Sequence, residues 1–568
     1  MKDDIDLPRK PMLLIAALQG IWLMLLYQAA DAGNWPSKDP VWSFPLWTLG
    51  LATPVLLLLS LDKDNTRSVA LQVGAFSAVL AVLAVYVGWQ AEPFGEFPVA
   101  GMAFVFGLTV TLACFKALMY LQQRAAGMAM RYDVLFRYSW QNFLTLSLSL
   151  LLTGVFWLIL MLWAALFDAI GIEFFENLFE MEWFVIPVLA IAHGIGVIVF
   201  RNLTGVIDGI TRLLQGLMKL LLPLVLLIAV IFLAALPVVG LDALWATRRG
   251  TALLLWLLAL TLFFVNAVYQ DGRGERPYPD FVHRAVWVAL LTMPIVSALS
   301  FYGLYLRLEQ HGWTVMRGWA FVVWLLLSLF AVGYTIAVLR QRDRWTAGLA
   351  RVNTLMGLAV LAIMLLANSP LLDFRKIAVA SQLGRVESGQ QALEDLDYQY
   401  FHRMLARPGH LAAEAIKADI GDSDPGLLSL IERRAPVGAP RPMDGEEFWA
   451  SMEYRPAGLT VPGGLRERID IAATRYFQGV TPILTQVDLD DDGDYEYALI
   501  VAGKDYLRSM SLYYRENGEW RQINLWLSRG AQHGQSVLDA MQQGEVATST
   551  QRFKQLRIGD YVFTPEEP

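Results

Sequence analysis

The sequence has almost no cysteine and lacks the short motifs that mark several common enzyme classes. Cys114 is the single cysteine among 568 residues, so an internal disulfide cannot form. No Cys-His cluster has zinc-ligand spacing, and there is no Walker loop, Gly-x-Ser-x-Gly or His-Glu-x-x-His sequence. These absences argue against a zinc module, a P-loop ATPase, a serine hydrolase and a zinc protease. Any region outside a membrane must be stabilised by its own packed core.

Charged residues are also scarce, at 17% of the chain, against 56% hydrophobic residues. Apolar stretches fill the first two-thirds of the sequence and stop near Asn368-Ser369-Pro370. Most are long enough for the roughly 20-residue helix that crosses a bilayer. The sequence predicts an α-helical polytopic membrane protein with about 11 transmembrane helices in residues 1–370. The predicted spans are 11–30, 43–61, 69–88, 98–119, 141–166, 183–201, 219–239, 250–269, 284–305, 318–339 and 346–367.

Lysine and arginine are distributed unequally between the two sets of alternate loops. With the N-terminus in the cytoplasm, the inner set holds nineteen of these residues and the outer set five. Because cytoplasmic loops are enriched in such cations, we predict a multi-pass membrane protein with a cytoplasmic N-terminus and an extracytoplasmic C-terminal domain. Ala30-Asp31-Ala32 also fits a signal-peptidase site, but the apolar run before it is longer than a signal core, which favours an uncleaved anchor.

Residues 371–568 have the composition of a water-soluble α+β domain. Helical spacing covers 376–405 and 411–417, and a Pro- and Gly-rich segment at 434–445 predicts a linker. Five later segments have strand character, and Glu516-Asn517-Gly518 predicts a hairpin turn. The predicted strands are 483–487, 495–501, 510–514, 519–525 and 553–558. This domain has a net charge of −9, so nucleic acid is not an expected partner.

The strongest local motif is the acidic segment 488–496, Asp-Leu-Asp-Asp-Asp-Gly-Asp-Tyr-Glu. Carboxylates at this spacing converge on one hard cation when the loop curls, and calcium takes six to eight oxygen ligands. An EF-hand needs a glutamate at the twelfth position, where Leu499 stands, so the segment instead resembles a single calcium loop of the FG-GAP type. The alternative is an acidic hairpin turn without metal. We predict a structural Ca²⁺ site with the ligands Asp488, Asp490, Asp492, Asp494 and Glu496.

Polar residues within the spans are few. His193 is a candidate proton relay, although a single intramembrane histidine is more often a packed, hydrogen-bonded residue. Asn142, Asn266 and Asn353 are expected to hydrogen-bond between helices, and the long stem of Lys116 allows its ammonium to reach toward the membrane surface. The segment 205–215 predicts either a helix along the membrane surface or a short loop with an early start of the next helix. These residues were found by their polarity alone.

One group of motifs resembles a known family. Gly303-Leu304-Tyr305-Leu306-Arg307, His311-Gly312-Trp313-Thr314, Asn368 to Asp373, and Ser381 to Arg385 with Gly389 and Asp397-Tyr398 are similar to bacterial membrane proteins classified as domain of unknown function 4153. The resemblance extends from the middle of the membrane region to about residue 410, and earlier spans match in hydropathy. It implies a bacterial integral membrane protein and supplies no activity or catalytic residue.

Three classes of function are compatible with the sequence. The favoured one is a non-enzymatic envelope protein that senses or scaffolds through its external domain, with the lipid bilayer and other envelope proteins as partners. The second is a secondary transporter, which the number of spans supports and the scarcity of intramembrane polar groups weakens. The third is a multi-span glycosyltransferase using lipid-linked sugars, with Asp31 or Asp39 of the first external loop as the acidic residue.

Overall fold

The structure is a computed structural model of the chain. It describes residues 7–421 except 94, 96, 248 and 271–275, and then 424, 427–428, 431, 445–456, 458–473, 480–488, 495–503, 506–516, 519–524, 556–558 and 561–563.

Residues 9–366 form a bundle of helices in which eleven spans, within the described residues, are long and apolar enough to cross a membrane. Each predicted span corresponds to one of them, which confirms the α-helical polytopic prediction. In chain order the α-helices of this region are α1 (Arg9–Asp31), α2 (Pro40–Ser60), α3 (Thr66–Gln90), α4 (Ala100–Ala125), α5 (Tyr132–Asp168), α6 (Phe174–Glu180), α7 (Glu182–Asn202), α8 (Thr204–Val239), α9 (Leu241–Ala246), α10 (Gly250–Tyr269), α11 (Asp280–Leu291), α12 (Met293–His311), α13 (Val315–Gln341) and α14 (Thr346–Leu366). All of them except α6 and α9 belong to the eleven spans.

The ninth span consists of two helices, α11 and α12, separated at Thr292. Pro294 lies in the first turn of α12. Proline has no N–H and its ring conflicts with the preceding turn, so a continuous α-helix is disfavoured at this position while a new helix start is tolerated. Hydropathy does not reveal this break, because both halves are apolar.

Helix α8 is continuous from Thr204 and is 36 residues long. The segment 205–215 is therefore the early start of a span, which was one of the two predicted alternatives. Helix α5, with 37 residues, is also longer than a bilayer requires. On the outer faces of the bundle large apolar side chains are exposed, among them Leu71 (67%), Val82 (69%) and Leu220 (74%). Such faces are stable when lipid covers them.

Three helices after the last span form what we call the helical section: α15 (Phe374–Glu387), α16 (Tyr398–Met404) and α17 (Ala406–Ile420). Their shared core contains Phe401, Leu405 and Ala413, all buried. These helices belong to the same compact unit as the membrane helices, Met1–Ala435. The compact unit thus continues past residue 370, where the sequence predicts the division between membrane and aqueous residues.

The second unit, Pro436–Pro568, contains a five-stranded sheet in the order β1-β2-β3-β4-β5. Strand β1 pairs in parallel with β2, and the other neighbours are antiparallel. Phe448, Leu465, Leu484 and Leu499 lie in its core. This confirms an α+β region, with the predicted linker residues 434–444 outside the described residues. The elements are α18 (Gly445–Ala450), β1 (Glu453–Arg455), α19 (Gly463–Ala473), β2 (Val480–Val487), β3 (Glu496–Gly503), β4 (Tyr506–Glu516), β5 (Glu519–Asn524), β6 (Leu556–Ile558) and β7 (Tyr561–Phe563).

Candidate functional site

The acidic segment connects the antiparallel strands β2 and β3, as the strand pattern predicted. Val487 and Glu496 form the last pair of the register. Asp488 follows directly, so the first and last predicted ligands lie at the two ends of the connection. Glu496 is buried, with 8% exposure. Asp490, Asp492 and Asp494 lie outside the described residues, and the Ca²⁺ site stays a prediction.

The family-like motifs come together where the helical section meets the membrane helices, and we call these contacts the junction. The Ser381 hydroxyl accepts a hydrogen bond of 2.9 Å from the backbone N–H of Trp313. The Gln382 amide donates to the Trp313 carbonyl oxygen at 3.0 Å, and the Arg385 guanidinium donates to the Glu309 carbonyl oxygen at 3.2 Å. Polar side chains of α15 thus satisfy backbone groups in the last turn of α12 and in the connection to α13 that have no helical partner.

Gly312 lies at the centre of the junction and has a φ of 69°. A side chain there would be strained by this backbone conformation, and its Cβ would lie 2.9 Å from both the Arg385 Cδ and the Ser381 Oγ atoms. A second contact lies beside it, since the backbone N–H of Val315 donates to the Tyr400 hydroxyl at 2.9 Å. The glycine therefore permits α15 to approach the start of α13 closely.

A buried carboxylate, Asp373, forms the other half of the junction, with 3% exposure. It pairs with Arg375 at 2.8 Å and accepts a hydrogen bond of 2.8 Å from the Tyr86 hydroxyl of α3. Burial alone would raise the pKa of Asp373, but the positive charge of Arg375 and the hydrogen bonds from Arg375 and Tyr86 outweigh it, so the pKa lies below its usual range. The Lys376 ammonium lies 5.6 Å from the Tyr86 ring centre. Asp373 is therefore an ionised group at pH 7 that joins three chain segments.

A cavity of about 550 Å³, which we call the aromatic cavity, lies among helices α4, α5, α8, α10, α13 and α14. Its wall is mainly apolar and includes Phe115, Phe143, Phe263 and Phe330. The volume is within the roughly 300–1,000 Å³ of typical small-ligand pockets. The cavity is therefore a candidate ligand site within the described part of the membrane bundle.

A hydrogen-bonded cluster of polar side chains borders this cavity. The Asn353 amide donates to the Asn266 oxygen at 2.6 Å and to the Tyr132 hydroxyl at 2.9 Å. The Tyr334 hydroxyl lies 2.7 Å from the amide oxygens of both Asn266 and Asn353. These bonds join α5, α10, α13 and α14, which confirms that Asn266 and Asn353 bond between helices. The two tyrosines were not predicted, because tyrosine in an apolar run does not stand out by polarity.

Lys116 of α4 also lines the aromatic cavity. It lies about 13 Å from the end of α4 at Ala125, given a helical rise of about 1.5 Å per residue. No hydrogen bond or ion pair joins its ammonium to another described residue. The sequence predicted only that this ammonium reaches toward the membrane surface. It did not predict the cavity, because the cavity is formed by the packing of six helices.

A second cavity of about 470 Å³, the polar cavity, lies between the N-terminal parts of α5 and α8. Arg137, Arg212, Asp133 and Asp208 line it, together with Gln270 near the end of α10. Phe136 and Trp140 line both cavities. The two cavities therefore adjoin each other, and the polar cavity is lined by both positive and negative charges.

The other polar residues singled out in the sequence are Asn142, His193, Asp39 and Asp31. Asn142 exchanges hydrogen bonds of 2.8 and 3.1 Å with Gln122, which confirms an interhelical contact between α5 and α4. His193 is half-buried on α7, and its Nδ1 atom has no hydrogen-bond partner among the described residues. Asp39 accepts a hydrogen bond of 3.1 Å from the N–H of Val41 and so caps α2, while Asp31 is the last residue of α1. Capping stabilises a helix start and accounts for Asp39 without chemistry.

The family model described as "Domain of unknown function (DUF4153)" matches residues 48–416. The chain belongs to this family. The match begins at the second span, earlier than the motifs indicated, and it ends within α17. It therefore covers the cavities, the junction and the membrane helices from α2 onward, but not the β-sheet. No curated protein and no solved structure matches the chain.

Proposed function

We propose that this DUF4153 member is a non-enzymatic sensing or scaffolding protein of the bacterial inner membrane. Its N-terminus is cytoplasmic, and its helical section and β-sheet lie outside the cytoplasm, where a Ca²⁺ ion bound by the 488–496 loop braces the β2–β3 hairpin. The cation asymmetry supports this orientation, and the hairpin arrangement of β2 and β3 supports the loop geometry. Other envelope proteins are the partners of its external surface.

One observation carries the sensing function: the same helices line the aromatic cavity and hold the helical section. Lys116 and Asn353 border the cavity on α4 and α14. Nearer the start of α4, the Thr109 hydroxyl accepts a hydrogen bond of 2.8 Å from Asn368, two residues after the end of α14. Five residues later the chain reaches Asp373 and the junction. A ligand that changes the spacing of α4 and α14 would thus act on the position of the helical section.

Hydrogen exchange of the full chain in nanodiscs tests this coupling. Leu214→Phe should partly fill the aromatic cavity, and we expect it to change amide exchange in 374–387 and 398–404. Leu355→Ala is the matched control, because Leu355 lies on α14 with 62% exposure and does not line the cavity. If both variants leave the exchange of the helical section at the wild-type level, the cavity and the junction are not coupled and the sensing function is rejected.

The polar cluster beside the cavity favours transport as a second candidate, because buried polar groups in membrane helices often mark a substrate path. Transport requires that the cavity open alternately to both sides of the membrane. If the protein in proteoliposomes shows substrate-dependent flux, transport therefore replaces sensing as the function. The sensing function predicts changes in hydrogen exchange without flux.

A further inference from the structure

We propose that the aromatic cavity binds an anionic amphiphile with a single alkyl chain, whose acidic group pairs with the Lys116 ammonium. This amphiphile is the class of ligand that the proposed sensor would detect. The binding itself does not depend on the sensing function, but the biological purpose of the binding does. Binding and coupling are measured separately, so either can fail alone.

The charge of the ligand follows from Lys116. An ammonium removed from water is costly unless an opposite charge or a set of acceptors compensates it. The described residues provide no ion pair for Lys116, and the group borders an open volume of about 550 Å³. A carboxylate or phosphate entering this volume would supply the missing negative charge.

The shape of the ligand follows from the rest of the wall. Phe115 and Phe143, together with Phe263 and Phe330, offer an apolar surface that suits an alkyl chain. The volume fits one chain of fatty-acid size and is small for a two-chain phospholipid. Asn266 and Tyr132 add hydrogen-bonding groups to the same wall.

The polar cavity provides an entry route for such a molecule. Arg137 and Arg212 in its lining are local contacts for an anion, while Asp133 and Asp208 balance their charge. Because Phe136 and Trp140 line both cavities, an acidic group that passes these rings moves from the polar to the aromatic cavity.

Binding to the full chain in nanodiscs, corrected for empty nanodiscs, tests the proposal with palmitate as the probe. Hexadecanol has the same chain without the charge, and inorganic phosphate has charge without the chain. We expect palmitate to bind at least about tenfold more tightly than hexadecanol, which corresponds to about 1.4 kcal/mol, and phosphate not to compete.

Lys116→Met keeps an unbranched apolar side chain and removes the charge, so we expect palmitate affinity to fall to the hexadecanol level. Lys116→Arg should retain most of the affinity, and Lys10→Met, an exposed lysine on α1, should retain all of it. Equal binding of palmitate and hexadecanol, or unchanged palmitate binding by Lys116→Met, overturns the proposal. Competition by inorganic phosphate also overturns it, because the ligand would then be a free anion.

Discussion

The Tyr86 hydroxyl donates a hydrogen bond of 2.8 Å to the Asp373 carboxylate, which joins two residues 287 positions apart in the chain. Tyr86 lies near the end of α3, and Asp373 caps α15 by accepting from the N–H of Arg375. A single carboxylate therefore connects a membrane helix, an ion pair and the start of the helical section.

Asp373→Asn should strongly destabilise the protein, because it leaves Arg375 without its charge partner. The Asp373 side chain is buried, with 2% exposure, and the Arg375 side chain is mostly buried, with 12%. Breaking a buried pair from one side costs about 3–5 kcal/mol. The free energy of unfolding, measured by SDS titration, checks this. Asp280→Asn is the matched control, since its pair with Arg276 is exposed and contributes about 0–1 kcal/mol. Equal losses in the two variants would contradict the prediction.

The same group predicts a pH dependence. The folded-state pKa of Asp373 lies below its unfolded value, so its stabilising contribution is present above the unfolded pKa of about 3.9 and is lost as the pH falls through the folded pKa. We expect the amides of 374–387 to lose protection against hydrogen exchange in acid. In Asp373→Asn this acid-induced loss of protection should be smaller. The Tyr86 hydroxyl and the Arg375 guanidinium contact the carboxylate, and the Lys376 ammonium lies beside the Tyr86 ring. An unchanged acid response in the variant would assign the step to other carboxylates.

Tyr334→Phe should destabilise the membrane bundle by about 1–3 kcal/mol, because the amide oxygens of Asn266 and Asn353 lose their shared hydroxyl partner. Tyr334 is fully buried, so water cannot easily replace it. Tyr302→Phe is the control, at a tyrosine with 47% exposure, and should change the free energy of unfolding by less than about 0.5 kcal/mol. Similar effects in both variants would mean that the cluster contributes little.

A topology experiment checks the orientation. A reporter that is active only outside the cytoplasm should be active when fused after Leu371 and silent when fused after Arg342. The reason is the excess of lysine and arginine on one set of loops, which determines how spans insert. The reverse pattern would place the helical section in the cytoplasm.

Millimolar calcium should raise the unfolding temperature of the β-sheet unit in the full chain, with magnesium less effective. A ligand specific for the folded state adds about 2.7 kcal/mol at a hundredfold excess over Kd, and extracytoplasmic sites are weak, with Kd on the order of 10⁻⁴–10⁻³ M. The double variant Asp490→Asn with Asp492→Asn should abolish the shift. Glu173→Gln with Glu176→Gln removes two exposed charges elsewhere and should preserve it. If calcium does not stabilise the wild-type protein, the 488–496 segment is an acidic turn without a metal ion.

The spans could be predicted from sequence because the bilayer thickness fixes the length of an apolar run. The motif residues Gly312, Ser381 and Arg385 could be recognised but not explained, since their contacts form only when α15 folds back on the membrane helices. Tyr86 was missed because its partner is far away in sequence. The aromatic cavity could not be predicted at all, because no local periodicity reports a volume enclosed by six helices.

The length of α5 and α8 has a consequence for the polar cavity. Helices of 37 and 36 residues measure about 54 Å at about 1.5 Å per residue, whereas the hydrocarbon layer is about 30 Å thick. Asp133 and Arg137 lie in the first two turns of α5, and Asp208 and Arg212 lie in the second and third turns of α8. We therefore expect this end of both helices to extend beyond the hydrocarbon and the polar cavity to hold water. Dissolved salt would then reach these charges, and with a Debye length of about 8 Å at physiological ionic strength the attraction between an anion and Arg137 or Arg212 should weaken as salt rises.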